Sequence, residues 1–186
     1  MADCVICLGG LNLELRSQLE RLPVRGGVQT ASNYEVAVSQ GVGTEALKLA
    51  ASGWHVHMVS RLGHDSLGDL LLSILRHAKV NTTFVKRNFN CKSNYRHTLT
   101  LHNDERSEII HDSHGCQLTV EDLMAARALF LQASLVVVDN TLPKEVLDCA
   151  FKLAKKYDCE LRYADHSEPH MRLNRFAVSS ATASPA

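Results

Sequence analysis

The chain has 186 residues, 45% of them hydrophobic, and its 20 basic residues balance its 20 acidic residues. A chain of this length can bury roughly 70% of its unfolded surface, so we expect one core domain. The zero formal charge excludes the electrostatic signature of a nucleic-acid-binding protein and favours small or neutral partners. The apolar run at residues 4–11 is too short to span a membrane and has no basic segment before it, so we expect a cytoplasmic protein.

The first predicted element is a strand at residues 4–9, a continuous apolar run of the kind that is buried on both faces of a parallel sheet. Asn12 and Glu14 follow at its carboxyl end. Because ligands of open α/β sheets bind outside the carboxyl ends of strands, this polar pair is a candidate for binding a substrate hydroxyl. The alternative is an Asn turn followed by a solvated Glu. Residues 15–33 are predicted to be irregular and residues 34–38 to form a short strand.

A glycine-rich turn then precedes a predicted helix at residues 44–52, and residues 55–60 predict the next strand. A second glycine-bearing loop at residues 63–65 opens another helix, where Ser66 and Asp69 resemble a capping box. Glycines allow the backbone to approach a ligand closely, and a following helix N-terminus presents unpaired N–H groups to an anion or a hydroxyl group. Tight turns in an α/β domain are the plain alternative.

Two extended segments follow, at residues 80–87 and 94–112. The second contains the turn residues Asn103-Asp104 and is the only convincing antiparallel hairpin in the sequence. Thr119 is then predicted to cap a helix.

The α/β alternation continues to the end of the patterned sequence. A buried strand is predicted at residues 134–139, a helix with Pro143 in its first turn, and a last strand at residues 160–165. Two strands therefore end in aspartate, at Asp139 and Asp165.

Six cysteines raise the question of a metal site or disulfides. Cys4 and Cys7 have CxxC spacing, but three residues apart on an extended strand they point to opposite faces and cannot share an ion. The other cysteines are dispersed, and without a secretory signal they are expected to be reduced thiols. The histidines near them show no spacing that closes a tetrahedral site, so we predict no metal site.

The order of these motifs resembles the amino-terminal half of the ribokinase family of carbohydrate kinases, also called the PfkB type. The resemblance rests on LGGLNLEL, on QGVGTEALKLAASGWHVHMVSRLGHDSLGDLLLSIL and on KVNTTFVK, with Asn12 and Gly63-x-Asp65-x-x-Gly68 in register. Val42, the segment VVVDNTLPKEVL and the YAD-x-S pattern near residue 165 are most similar to pseudouridine kinases, which phosphorylate the ribose of a C-nucleoside.

The resemblance, together with the alternation of strands and helices, implies an α/β fold with a ribokinase-like parallel sheet flanked by helices. The sheet is expected to contain residues 4–9, 55–60, 134–139 and 160–164. A small β lid, formed near residues 12–40 and 90–115, would cover the sugar and provide a homodimer contact. Residues 1–175 would form an incomplete kinase domain, truncated before its carboxyl-terminal half, and residues 176–186 a disordered tail.

The resemblance also implies ATP-dependent transfer of a phosphoryl group to a sugar hydroxyl. Asn12 and Glu14 match an Asn-x-Asp pair that binds sugar hydroxyls, and the family's Gly-Gly-Val-Gly-Arg-Asn turn matches Gln-Gly-Val-Gly-Thr-Glu. The Asn that contacts sugar oxygens is Glu45 here, and a carboxylate only accepts hydrogen bonds whereas an amide also donates them. The candidate substrate-binding residues are Asn12, Glu14, Gly41, Gly43, Glu45, Asn94, Asp139 and Asp165.

The sequence contains no Gly-Ala-Gly-Asp turn, which carries the catalytic base in the family, and no Asn-x-x-Glu magnesium motif. We therefore assign no catalytic residue and expect ATP and Mg²⁺, the family's cofactors, to bind this chain poorly. Two hypotheses stay open: a truncated sugar or nucleoside kinase whose activity belongs to a longer parent, and a non-catalytic isoform that binds or dimerises. A dinucleotide-binding domain is a weaker third, because Gly41-x-Gly43 lacks the third glycine and the following acidic residue.

Overall fold

The computed structural model describes residues 3–164, and this part of the chain contains two β-sheets and the helices that flank the larger one. The strands are β1 Cys4–Leu8, β2 Asn12–Leu19, β3 Asn33–Val38, β4 His55–Gly63, β5 Asn81–Asn88, β6 Asn94–Leu101, β7 Arg106–His111, β8 Leu135–Val138 and β9 Glu160–Tyr163. The α-helices are α1 Val42–Ala51, α2 Ser66–His77, α3 Val120–Ala125 and α4 Lys144–Lys156, and short 3-10 helices lie at His114–Cys116 and Arg127–Leu131.

The larger sheet has five parallel strands in the order β5-β4-β1-β8-β9. All four segments predicted for it are present, so the predicted α/β fold with a parallel sheet is confirmed. The sheet also includes β5, which was predicted to be extended but was not assigned to a sheet.

The strand β1 lies at the centre of this sheet and separates two hydrophobic cores. Val5 and Cys7 belong to the core shared with α1 and α2, while Ile6 and Leu8 belong to the core shared with α3 and α4. All four side chains are fully buried, which explains why this strand is apolar at every position rather than at alternate ones. Cys4 packs on the second core, so Cys4 and Cys7 lie on opposite faces of the strand.

The smaller sheet, which we call the lid, has the strand order β3-β2-β6-β7. Its central strands β2 and β6 are parallel to each other, and the outer strands pair with them in antiparallel fashion. The prediction of irregular structure at residues 15–33 is therefore wrong for residues 15–19, and the β6–β7 hairpin is not the only antiparallel pair. The missed signal was the alternation in Asn-Leu-Glu-Leu-Arg-Ser-Gln-Leu, which a long loop separates from its partner β3.

The lid has one apolar and one polar face. Leu13 and Val38 lie on the apolar face and pack into the core beside α1 and α2, with Tyr95 against them. Glu14 lies on the polar face, where its Oε1 accepts hydrogen bonds from Arg16 Nε at 3.0 Å and from Thr98 Oγ1 at 3.2 Å. Glu14 is only 2% exposed, so this ion pair is an internal part of the lid rather than a solvated charge.

Asp122 on α3 fastens that helix to the larger sheet. Its carboxylate accepts hydrogen bonds from Arg61 on β4 and lies 2.7 Å from Lys86 Nζ on β5. It also forms a capping box with Thr119, and the predicted cap at Thr119 is confirmed. Burial raises the pKa of Asp122, but the hydrogen bonds from Arg61, Lys86 and Thr119 outweigh burial and lower the pKa to about 2.

The starts of α1 and α2 differ from the predicted ones. The helix α1 begins at Val42, with Gly41 as its N-cap, two residues before the predicted start. The N-cap of α2 is Asp65, whose Oδ1 accepts a hydrogen bond from Gly68 N at 2.9 Å, so the predicted capping box of Ser66 and Asp69 is wrong. An aspartate is a better cap than the serine after it when its side chain can reach the N–H of the third helical residue.

Candidate functional site

The candidate site lies where β1 and β8 end and α1 begins. A Cβ atom on Gly9, directly after β1, would lie 2.6 Å from Asp139 Cβ and 2.7 Å from Val42 Cγ1. The backbone N–H of Asp139 donates to Leu8 O at 2.9 Å, which holds the two strand ends together. Because Gly9 has no side chain, the ends of β1 and β8 and the start of α1 can pack directly against one another. Asp139 therefore lies beside the turn that contains Gly41 and Gly43.

Asp139 is 6% exposed and its carboxylate is held in one orientation. Its Oδ1 accepts hydrogen bonds from Thr141 N at 3.0 Å and from Thr141 Oγ1 at 2.8 Å. An oriented carboxylate at the carboxyl end of a parallel strand is suited to accept a hydrogen bond from a ligand hydroxyl.

The two candidate glycines of the turn have different structural roles. Gly41 has φ 107° and ψ −151°, a conformation that favours glycine, and α1 has no side-chain cap. Among the described residues, no side chain caps the N–H groups of the first turn of α1, whose residues Val42 and Thr44 are 0% and 3% exposed. Gly43 is needed for packing, because a Cβ there would lie 2.8 Å from Val38 Cγ1 and 2.9 Å from Leu11 Cδ2, at the base of the lid.

Glu45, also predicted to bind substrate, is ion-paired. Its Oε2 accepts a hydrogen bond from Arg162 Nη2 at 3.1 Å, and its Oε1 lies 3.7 Å from Lys48 Nζ. Arg162 is on β9, 117 residues away in the chain, so sequence spacing carried no signal for this pair. The carboxylate therefore links the edge strand of the larger sheet to the start of α1.

Asn12 carries a hydrogen-bond acceptor that no described residue uses. It is the first residue of β2, and its backbone O accepts a hydrogen bond from Ser39 N at 2.9 Å. Its side-chain Oδ1 is buried and has no hydrogen-bond partner among the described residues. Leaving such a group unpaired costs about 1–3 kcal/mol, which a ligand hydroxyl donating to Oδ1 would recover.

Glu14 and Asn94, also predicted to bind substrate, are engaged within the lid. Glu14 makes the hydrogen bonds to Arg16 and Thr98 described above. Asn94 Nδ2 donates to Asp112 Oδ1 at 3.1 Å, and Asn94 Oδ1 accepts from Ser113 N at 2.7 Å, so this amide fastens β6 to the segment that leaves the lid. Asp165 lies outside the described residues.

The Gly63-x-Asp65-x-x-Gly68 motif holds the segment that leads into β6. Asp65 Oδ2 accepts a hydrogen bond from Ser93 N at 2.7 Å, and Gly63 N donates to Ser93 Oγ at 3.1 Å. Burial raises the pKa of Asp65, but the hydrogen bonds from Gly68 and Ser93 outweigh it and lower the pKa. At Gly63 the close neighbour is the protein's own segment 91–93, which matches the plain alternative of a tight turn.

Arg87 completes this attachment and was missed from the sequence. Its Nε donates to Gly63 O at 2.9 Å, and its Nη1 donates to Asp69 Oδ1 at 2.7 Å. Arg87 lies on the edge strand β5, where nothing in the local pattern distinguishes it from the other basic residues. The end of β4, the start of α2 and the entry to the lid are thus tied together.

Between residues 3 and 164, no group of three or more His, Cys, Asp or Glu residues is arranged to hold a metal ion. We assign no catalytic step to this part of the chain. None of its helices combines the length and the apolar character needed to cross a membrane.

Residues 4–182 match the pfkB family of carbohydrate kinases. The chain is 31% identical over 156 residues to the uncharacterized sugar kinase YeiI of Escherichia coli (strain K12), a match that covers 81% of this chain and 41% of the relative. It is 20% identical over 158 residues to a ribokinase of Staphylococcus aureus (strain COL), covering 84% of this chain and 52% of the relative. The chain thus spans about half the length of these relatives.

Solved structures of sugar kinases share this fold. The ribokinase of Arabidopsis thaliana complexed with ribose and ATP superimposes with a TM-score of 0.74 at 19% identity, covering 88% of this chain and 53% of the other. A fructokinase with bound ATP from Xylella fastidiosa gives a TM-score of 0.69 at 18% identity, covering 88% and 51%. The fold of the described residues is therefore ribokinase-like.

Proposed function

Because the chain belongs to the pfkB family of carbohydrate kinases, we propose that it carries the sugar-recognition part of an ATP-dependent sugar or nucleoside kinase. In the longer parent, the γ-phosphoryl group of ATP would pass to a ribose hydroxyl, and a pseudouridine-like C-nucleoside is the proposed substrate. The proposed location is the cytoplasm. The chain alone is proposed to bind substrate without turning it over.

The observation that carries this proposal is the buried Oδ1 of Asn12, which has no hydrogen-bond partner within residues 3–164. Asn12 begins the strand that follows β1. The end of β1 also lies against Asp139 and the start of α1, which has no side-chain cap. A vicinal diol can donate hydrogen bonds to the amide oxygen and to the Asp139 carboxylate, and can accept from the N–H groups of α1. This combination of acceptors and donors suits a sugar better than an anion or an apolar ligand.

In this proposal the residues of the chain bind and orient the sugar. Asn12 and Asp139 accept from its hydroxyls, and Gly41 leaves the start of α1 open to it. The lid, held at its entry by Asp65 and Ser93, would cover the bound sugar and exclude water. Holding a hydroxyl in a fixed position lowers the entropic part of a phosphoryl-transfer barrier. ATP supplies the phosphoryl group in the family, and no residue described here is assigned to it.

Titration calorimetry of the purified chain with pseudouridine, uridine and ribose tests the binding proposal. We expect pseudouridine to bind most tightly and Asn12→Ala to weaken binding at least about tenfold, which corresponds to ~1.4 kcal/mol. Asn90→Ala is the matched control, because Asn90 is exposed in the loop before the lid and should leave affinity unchanged. Binding that is absent, or that survives Asn12→Ala, would refute the proposed site, whereas equal affinity for uridine would refute only the pseudouridine assignment.

Incubation with ATP, Mg²⁺ and pseudouridine tests whether the chain is active by itself. We expect no sustained, substrate-dependent release of ADP, because the sequence has no Gly-Ala-Gly-Asp turn to supply a base. Release that is abolished by Asn12→Ala would show that the chain is a complete catalyst.

A second candidate is a non-catalytic module that acts by binding or by dimerising through the lid. The observation that favours it is the exposure of large apolar side chains on the outer strand β7, where Ile109 is 54% and Ile110 is 57% exposed. Recovering the parent transcript discriminates between the candidates, since the kinase proposal requires a parent that encodes the Gly-Ala-Gly-Asp turn.

A further inference from the structure

Two cysteines meet where the chain enters and leaves the β6–β7 part of the lid. Cys91 lies between β5 and β6, and Cys116 lies in the 3-10 helix that follows β7. A Cβ atom on Gly115 would lie 2.6 Å from Cys91 Cβ and 3.5 Å from Cys91 Sγ, so the Cys91 side chain packs directly on the residue before Cys116. Cys116 Sγ donates a hydrogen bond to Lys92 O at 3.2 Å, which binds it to the residue after Cys91.

The two thiols differ in accessibility. Cys91 is half-buried, whereas Cys116 is 6% exposed. Burial and the neighbouring Cys91 thiol together raise the pKa of Cys116 to about 12. An oxidant in solution therefore reaches Cys91 first, with Cys116 beside it as the second thiol.

We propose that Cys91 and Cys116 form a reversible disulfide that staples the entry and exit of the lid, with a low-molecular-weight disulfide such as glutathione disulfide as the oxidant. The Cys91 thiolate attacks one glutathione sulfur, breaks its S–S bond and releases one glutathione thiolate. Cys116 then gives up its proton and attacks Cys91 Sγ, releasing the second glutathione. Two protein thiols are oxidised, and one glutathione disulfide takes up their two electrons and two protons to give two glutathione thiols.

The position of the bond decides its effect. Asn88 Nδ2 donates to Gly115 O at 2.9 Å, so the entry and exit segments already lie side by side in the reduced chain. A disulfide there restricts the unfolded lid by closing the loop that contains β6 and β7. Cys149 lies elsewhere, on α4, where its Sγ donates to the sulfur of Met124 at 3.9 Å, and it serves as the control.

The experiment incubates the purified chain in glutathione buffers of graded redox potential, alkylates the free thiols and digests the protein with trypsin. Cleavage after Arg87, Lys92, Arg106 and Arg127 places Cys91 in peptide 88–92 and Cys116 in peptide 107–127. We expect the linked pair of these peptides to be the main oxidised product and to disappear on reduction. Cys91 and Cys116 that stay as thiols, or carry separate glutathione adducts, would overturn the proposal.

Variants test whether cross-linking depends on the proximity of Cys91 to Cys116 rather than on the general reactivity of the thiols. Cys116→Ser should accumulate glutathione on Cys91, Cys91→Ser should leave Cys116 unmodified, and Cys149→Ser should cross-link like the unmodified chain. Gly115→Ala keeps both thiols but forces Cys91 away, so we expect its yield of linked peptide to fall several-fold. An unchanged yield in Gly115→Ala would contradict the packing on which the proposal rests, and this variant leaves the proposed substrate-binding residues intact.

Discussion

Asp122 is a single buried carboxylate held by charged side chains from two neighbouring strands. Its side chain is 1% exposed, so its charge is stabilised by Arg61 and Lys86 rather than by water. Removing the carboxylate leaves Arg61 and Lys86 without their anionic partner, and Arg61, at 22% exposed, is only partly compensated by water. The attachment of α3 to the sheet therefore depends on one ionised group.

The stability that Asp122 contributes should depend on pH. Its folded pKa of about 2 lies below the unfolded value near 3.9, so the contribution is complete above about pH 4 and is lost as pH falls towards 2. We expect Asp122→Asn to lower the free energy of unfolding by about 2 kcal/mol at pH 6, and by progressively less below pH 4. Urea unfolding at several pH values measures this. Asp148→Asn on the exposed side of α4 is the control, and a pH-independent difference for Asp122→Asn would contradict the prediction.

Gly63 tests how tightly the entry of the lid is packed. A Cβ there would lie 2.5 Å from Ser93 N and 2.7 Å from Cys91 O, both backbone atoms that cannot rotate away. We expect Gly63→Ala to lower the free energy of unfolding by about 1–3 kcal/mol through overpacking. Gly10→Ala is the matched control, since nothing lies within 4 Å of a Cβ there. Equal unfolding midpoints for the two variants in urea would show that segment 91–93 yields without cost.

For individual residues, the sequence predicted a role correctly where that role depends on the position of the residue in a strand. Asp139 could be placed at a strand end because an apolar run stops there, and the structure brings it to the turn of Gly41. Arg162 could not be paired with Glu45, because β9 and α1 meet only through the order of strands in the sheet. Asp65 was recognised as part of a motif, but whether its carboxylate faces a ligand or the chain itself depends on where segment 91–93 runs.

Some secondary-structure elements could be predicted from local sequence, and others depended on tertiary pairing. The larger sheet was predictable because buried parallel strands are continuous apolar runs separated by amphipathic helices. The lid was only partly predictable: its hairpin β6–β7 has a local turn signal, whereas β2 pairs with strands that are distant along the chain. The strand β5 was found as an extended segment, but its place at the edge of the larger sheet follows from tertiary pairing alone.

The lid is predicted to mediate a homodimer, and its faces allow that prediction to be sharpened. Leu99 lies on the same face as Tyr34 and Ile109, which are 71% and 54% exposed. We expect Leu99→Lys to weaken a discrete dimer at least about tenfold, by placing a charge on this apolar surface. Thr100→Lys, the neighbouring position on the other face, is the control, and sedimentation velocity over a range of concentrations is the measurement. An unmodified chain that stays monomeric at all concentrations would exclude the dimer, and a larger effect of Thr100→Lys would move it to the polar face.

The whole chain carries no net charge, so little long-range repulsion opposes association. In the described residues β9 is an edge of the larger sheet, and Tyr163 on it is 51% exposed beside Phe151 at 42%. Exposed edges invite pairing with other chains. We therefore expect non-specific aggregates that persist in Leu99→Lys after the specific dimer is lost.

The parallel pairing of β2 with β6 has a consequence for the order of folding. The hydrogen bond between Glu14 and Thr98 joins residues 84 positions apart, and closing so long a loop early is slow. However, β2 directly follows β1 and β6 directly follows β5, and both β1 and β5 belong to the larger sheet. Once that sheet has formed, the two lid strands are therefore already close. The lid should therefore assemble after the rate-limiting step, and Thr98→Val should speed unfolding in stopped-flow experiments while leaving the refolding rate nearly unchanged. In the cell, such a molecule would open at its lid long before its central sheet comes apart.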